Sequence, residues 1–324
     1  MLEIKNVDTR PPVTILLPIF NEMSNLPSLR VNIEACARSQ DEILIVDDQS
    51  TDDSAGFLSK WAREDFRVAY IRNPQKGLAG ALNLGLHLAS HAWIARFDAD
   101  DLCEPNRIDT QIDLVANDVG VVFSDYDNFS VSPRKFARIP SPVNDSATAI
   151  SLITNRRTPH SSALLNKDAC VGVGGYIADH FPAEDLSLWL RLAKVSKLLT
   201  VPEVLLHYRI STNSVTSHRK SEMLAMRQEL IGTIGLTVSK IENANQEWRS
   251  IVDSYETLDL SKERILLFLN DLRTVNEVAS IPREHRALRH TVPLVFKELD
   301  SYAAASAKLV YKSMTRKFSR KFTI

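Results

Sequence analysis

The feature that most restricts the fold of this chain is an alternation of two periodicities through its first half. Short apolar runs at Val13 to Leu17, Glu42 to Val46, Val68 to Ile71 and Trp93 to Phe97 are each bounded by polar turn chemistry. Runs of this length predict strands buried on both faces. Helical patterns lie between them. Ser50, with Asp53 three residues later, predicts a capping box ahead of a face carrying Phe57, Leu58 and Trp61. Leu78, Leu82, Leu86 and Ala89 recur at helical spacing, and Pro105 opens a further pattern carried by Ile108, Ile112 and Val115. Strand and helix in alternation predict an α/β fold, a mostly parallel central sheet flanked by helices.

The alternation weakens beyond about residue 130, where Ser132-Pro133 and Pro140-Ser141-Pro142 punctuate a connecting region. A strand is expected from Ser161 to Leu165, a turn at Gly172-Val-Gly-Gly175, a helix from Glu184 to Val195 and a last strand from Val204 to Tyr208. From about Ser221 the chain reads as helical, with Ile265, Leu266, Phe268, Leu269 and Leu272 on one face. The expected organisation is an α/β domain over 10–215 and a helical C-terminal extension over 216–324.

Composition narrows function by exclusion. Lys plus Arg (39) nearly cancels Asp plus Glu (40), so phosphate-driven nucleic-acid binding is not expected. Cys36, Cys103 and Cys170 lie far apart without metal-type pairing, which fits a reducing, cytoplasmic setting. The opening Met1-Leu-Glu-Ile-Lys-Asn has no secretion pattern, and no apolar run reaches the roughly 18 residues of a membrane span.

In open parallel sheets, ligands bind beyond the carboxyl ends of the strands. Acidic residues gather there: Glu22 after the first run, Asp47-Asp48 after the second, Asp98-Ala-Asp100-Asp101 after the fourth. Asp98 and Asp100, at i and i+2 after a buried strand, can share one hard cation, magnesium or manganese, that keeps positions open for diphosphate oxygens. Alone, such a pair far more often describes a solvated turn or a helix N-cap; following a buried strand and opening a helix favours the cation. With Ser50 taken as the helix cap, Asp47-Asp48 is partly free to accept a ring N–H from a uracil-type base. Lys76-Gly77 either approaches phosphates or merely starts a helix. Glu184-Asp185 suits a helix first turn on dipole grounds, and also suits a general base for an acceptor hydroxyl.

The ordered segments Val13-Thr-Ile-Leu-Leu-Pro-Ile-Phe-Asn-Glu22, Asp41-Glu-Ile-Leu-Ile-Val-Asp-Asp-Gln-Ser-Thr-Asp52, Lys76-Gly-Leu-Ala-Gly-Ala-Leu-Asn83, Ala95-Arg-Phe-Asp-Ala-Asp-Asp101, Gly174-Gly-Tyr176, Ala183-Glu-Asp-Leu-Ser-Leu-Trp-Leu-Arg-Leu192 and Tyr208-Arg209 resemble glycosyltransferase family 2. The resemblance implies the GT-A fold and transfer of a sugar, with inversion, from a nucleotide-diphosphate donor, UDP above all, to a hydroxyl. It implies that Pro18, Phe20, Glu22 and Asp48 line the nucleoside pocket, that Asp98 and Asp100 hold the cation, and that Asp185 is the base with Glu184 beside it. Lys76, Asn83 and Arg209 are further donor contacts on the same ground. The family's usual products imply cell-surface polysaccharide or lipopolysaccharide synthesis, with a saccharide or lipid-linked saccharide as acceptor.

Two positions depart from the family pattern. Phe20 stands where Tyr is common, and Ser211 where a His often follows the Tyr-Arg pair, although His207 and His218 lie nearby. The Q-x-x-R-W pattern of processive synthases is absent, which predicts one sugar per encounter. Lys308, Lys312, Arg316, Lys317, Arg320 and Lys321 alternate with Val310, Met314, Phe318 and Phe322, so the 308–322 tail suits either an anionic membrane surface or solvent. Glycine-rich phosphate loops that a nucleotidyltransferase or an NAD-dependent oxidoreductase needs are missing after the first strand. A non-catalytic sugar-nucleotide binder or assembly scaffold of the same fold is the remaining alternative.

Overall fold

The computed structural model describes residues 10–129, 158–210 and 219–234, together with Asp145, Thr148 and Leu152. The predicted opening alternation is present: β1 (Thr14–Ile19), α1 (Leu26–Cys36), β2 (Glu42–Asp47), α2 (Ser54–Glu64), β3 (Val68–Arg72), α3 (Leu78–Leu88) and β4 (Trp93–Arg96). Then come β5 (Leu102–Cys103), α4 (Arg107–Ile112), β6 (Val119–Phe129), β7 (Leu164–Asn166), α5 (Lys167–Gly172), α6 (Glu184–Leu192), β8 (Lys197–Arg209) and α7 (Lys220–Thr233).

The strands form an 8-stranded sheet in the order β3-β2-β1-β4-β7-β6-β8-β5. β3, β2, β1 and β4 pair in parallel, as the crossover helices require. β7 lies antiparallel between β4 and β6, while β6 and β8 run parallel and β5 caps β8 antiparallel. The sheet is therefore mixed, with its parallel half in the N-terminal part of the chain. Alternate side chains of one strand enter opposite layers. Leu16, Leu44 and Val46 pack with α3 and α6, whereas Ile15, Leu17, Ile43 and Ile45 pack with α1 and Trp61 of α2. Gly85 lets α3 approach β1 closely: a Cβ there would stand 2.3 Å from Cδ1 of Leu16.

Several local expectations are corrected. Ser50 does not cap α2, which starts at Ser54 behind Asp53. Ser50 instead accepts the Asn21 N–H at 3.0 Å and donates its own N–H to Asp47 at 2.8 Å, tying the β2 loop to the β1 loop. The expected strand at Ser161 to Leu165 divides into a 3-10 turn at His160–Ser162 and the short β7, because Ser162 closes the turn onto the Pro159 carbonyl at 2.8 Å. The last strand extends well before Val204, to Lys197, alongside β6, which the periodicity does not signal.

α7, the first helix after the expected boundary at 215, packs onto α6 and buries Leu230 in the same core as Trp189. The helical face at Ile265 to Leu272, the 308–322 tail, Ser211 and His218 lie outside the described residues.

Candidate functional site

The loops that follow β1 and β2 are stitched together by backbone donors. Asn21, at φ 56°, accepts the Thr51 N–H at 2.7 Å, Glu22 donates its N–H to Ser54 at 3.1 Å, and Met23 donates to Asp52 at 3.1 Å. Pro18 is buried within β1, and Phe20 projects beyond it, 42% exposed, with the Lys76 ammonium 4.5 Å above its ring. An aromatic face and a cation side by side suit a base and its phosphates.

Asp48 is tied to the neighbouring loop. Its carboxylate accepts the Asn73 amide at 2.8 Å and the Gly77 N–H at 2.8 and 2.9 Å, so the protein itself occupies both oxygens. Asp47 likewise accepts Ser50 and, at 2.9 Å, the Tyr70 hydroxyl. The pair is not left open by a Ser50 cap; Asp48 fixes the start of α3 through Gly77, whose φ of 134° only glycine adopts readily. Asn83 is similarly committed. Its amide donates to the Tyr176 carbonyl and accepts the Tyr176 N–H, both at 2.7 Å, so it clamps the Gly174-Gly175 turn.

At the end of β4, Asp98 forms an ion pair with Arg96, whose side chain is only 3% exposed against 32% for Asp98. Burial, then the neighbouring Asp98 charge, raises the Asp100 carboxyl above its ordinary range. Asp101 is pushed up to about 8 by burial and by both of those aspartates. Its oxygens accept the Ser161 hydroxyl and, at 2.8 Å, the Arg209 N–H. Arg209 also donates to the Asp100 carbonyl at 2.7 Å, with its guanidinium 4.7 Å above the Phe129 ring. Glu22 reaches the same region: burial raises its carboxyl first, and the Asp100 and Asp98 charges add to that.

Crowded carboxylates with surplus negative charge fit a hard divalent cation. Among the described residues no three His, Cys, Asp or Glu side chains assemble as a complete ligand set. His207 does not complete a set, since Asp127 holds its Nδ1 at 2.6 Å and Glu104 its Nε2 at 2.8 Å.

Glu184 and Asp185 open α6. Glu184 is 6% exposed, and its Oε2 has no hydrogen-bond partner. Burial, then the Asp185 charge, pushes it up to about 7; Arg96 opposes this and Asp98 adds to it. Asp185 keeps partial contact with solvent and accepts the Leu186 N–H at 2.6 Å. Burial raises its carboxyl, while the Leu186 N–H, Arg227 of α7 and Arg96 pull it down. Asp98 thus acts electrostatically on Glu22 and on Glu184, and carboxylates from three loops share one region. Behind them, half-buried His160 meets the Tyr176 hydroxyl at 2.7 Å and stands edge-on to Trp189, which anchors α6. Arg96 and Asp101 have no assigned role in the sequence reading. The available signal is a charged residue, Arg96, inside a run otherwise apolar from Trp93 to Phe97.

Comparison with known proteins gives a consistent result. The family model for "Glycosyl transferase family 2" matches residues 14–178. The amylovoran biosynthesis glycosyltransferase AmsE of Erwinia amylovora is 28% identical over 233 residues, covering 67% of this chain and 85% of its own. The UDP-Glc:alpha-D-GlcNAc-diphosphoundecaprenol beta-1,3-glucosyltransferase WfaP of Escherichia coli is 29% identical over 202 residues, covering 60% of this chain and 75% of its own. Among solved structures, residues 1-349 of S. aureus TarS in complex with UDP-GlcNAc match with a TM-score of 0.58 at 12% identity, over 88% of each chain. The mannosyltransferase PcManGT from Pyrobaculum calidifontis, in complex with GDP-Man and Mn2+, matches with a TM-score of 0.55 at 18% identity, over 89% of this chain and 85% of that one. At such identities the structural likeness speaks for the fold, a GT-A-type mixed sheet with flanking helices.

Proposed function

The chain belongs to glycosyl transferase family 2, and on that footing we propose that it moves a single sugar, with inversion, from a nucleotide-diphospho-sugar to a hydroxyl acceptor. The observation that carries this reading is that Asp98 acts on both Glu22 and Glu184, with Asp100 adding at Glu22, although these residues lie far apart in sequence. Asp98 and Asp100 would hold magnesium or manganese, which neutralises charge on the departing nucleoside diphosphate when bound. Phe20 stacks on the base, Pro18 and Glu22 border it, and Lys76 faces the phosphates. Asp48 shapes this wall through Gly77 rather than by offering a free oxygen. Arg209 braces the Asp100 backbone.

Asp185 serves as the base. The acceptor oxygen attacks the anomeric carbon as the bond to the diphosphate oxygen breaks, and the acceptor proton passes to the Asp185 carboxylate. One displacement inverts the centre without a sugar–enzyme bond. A lipid-linked saccharide is the acceptor class we favour, because WfaP is named for transfer to a diphosphoundecaprenol-linked sugar. UDP is the favoured carrier on the same ground.

The test is nucleotide release with UDP-glucose, UDP-galactose, UDP-N-acetylglucosamine and GDP-mannose, with and without Mn2+. Asp100→Ala abolishes the metal-dependent turnover. Asp185→Asn retains donor binding and loses transfer, since a base serves only the chemical step. Normal transfer by Asp185→Asn would remove the role assigned to that residue.

A further inference from the structure

Two fully buried arginines lie near the end of β4, and they are treated differently. Arg107 is saturated: it donates to Gln111 at 3.0 Å, to Cys103 Sγ at 3.0 Å, and to the carbonyls of Arg96 and Ala163 at 3.0 and 3.2 Å. Its function is internal bracing. Arg96 has Asp98 as its ion-pair partner, while its Nε has no hydrogen-bond partner. A buried guanidinium with unused donors is costly, so a fold that retains one places it where an anionic set needs it. The groups its charge reaches are the two halves of the proposed site, Asp98, Asp100 and Asp101 on one side and Glu184 and Asp185 on the other, with His160 and Tyr176 behind.

We propose that Arg96 is the positioning residue that joins these halves: it holds Asp98 in place before the donor arrives, and turns its charge toward Glu184 and Asp185 once a cation takes Asp98 from it. The inference rests on the proposed transfer reaction and adds to it a link between donor loading and base readiness. A cation binding at Asp98 competes with the guanidinium, because both need the same carboxylate. The released guanidinium has unpartnered donors of its own, and the Glu184 Oε2 is an unpartnered acceptor in the same buried region.

Competition makes an unusual prediction. In Arg96→Gln, Mn2+ alone, followed by the electron-spin signal of the free ion, binds several-fold more tightly than in the wild type, while kcat for transfer falls about 100-fold with little change in donor KM. Arg96→Lys keeps the charge and recovers part of kcat. An Arg96 that merely supported the fold would lose Mn2+ affinity and kcat together and show a reduced KM-to-kcat separation; that result, or full turnover in Arg96→Gln, overturns the inference. Should Arg96→Gln fail to fold, Asp98→Asn supplies the second test. It leaves Arg96 without its partner, so Mn2+ affinity drops and Arg96→Lys, which shifts Mn2+ affinity in the wild-type background, no longer does so; an equal shift in both backgrounds overturns the competition. Failure of the transfer reading itself is distinguishable, because then the wild type releases no nucleotide from any donor while the Mn2+ affinities of wild type and Arg96→Gln still differ.

Discussion

Glu184 and Asp185 are adjacent carboxylates with unequal surroundings. Glu184 is buried with a vacant acceptor oxygen, and Asp185 meets solvent while its own helix supplies one N–H. Such neighbours lose their protons as a coupled pair. With Glu184 pushed up to about 7, the doubly ionised form gathers only as pH rises through neutrality. On the proposed role of the pair, the doubly ionised form is the stronger proton acceptor, so transfer rises with pH across that interval. Glu184→Gln removes one of the two repelling charges, so Asp185 ionises at lower pH and the acidic limb of the kcat profile shifts downward. Turnover at pH 8 is retained if Asp185 is the base, and lost if Glu184 is; a pH series on the variant decides it. The carboxylates themselves were legible from sequence because the residue type is the function. The commitments of Asp48 and Asn83 were not, since each is fixed by a backbone group that only folding brings near: Gly77 for one, Tyr176 for the other.

At the scale of elements, the first four strands, α2 and α3 could be read because each is a clean apolar run or a clean face; α1 over Leu26–Cys36 has no counterpart in the sequence reading. β6 resists the same reading. Gly120, Ser124, Asp125, Asp127 and Asn128 interrupt it, and it is held as a strand by an irregular pairing with β8 that tolerates register shifts. The Gly174-Gly175 turn was visible as glycines, but its purpose is tertiary. Arg191 of α6 donates to the Gly175 carbonyl at 2.6 Å, and Asn83 of α3 grips the next residue, so the turn couples α3 to the helix that presents the base pair. Gly175 has φ 62°, and a Cβ there would fall 2.5 Å from Asn83 Oδ1. Gly175→Ala accordingly destabilises by about 2 kcal/mol, from strain and a displaced clamp. Urea denaturation checks the figure. A larger loss in kcat than in donor affinity is expected alongside it, because α6 shifts while the β1 and β2 loops do not.

For the molecule as a whole, the family match ends at residue 178, before Glu184, and the pair belongs to a helix that leans on α7. The segment beyond the expected boundary thus reaches the helix of Glu184 and Asp185 through Leu230 and Arg227. No helix among the described residues is long and apolar enough to cross a membrane. For a lipid-linked acceptor, as proposed, the basic-apolar 308–322 tail offers a means of approach by composition. Truncation after Asp300 is expected to move the protein from membrane to soluble fractions in fractionated cells; unchanged partition would rule out that role for the tail.

The cross-links between the loops after β1 and β2 have a bearing on how a donor would be captured. Asn21 and Ser50 lock that rim before any ligand arrives, so the proposed nucleoside side of the site would be a finished mould, with little freedom left to surrender on occupation. Selectivity for the nucleotide would then be set by shape at first encounter, leaving later adjustments to the sugar and acceptor side.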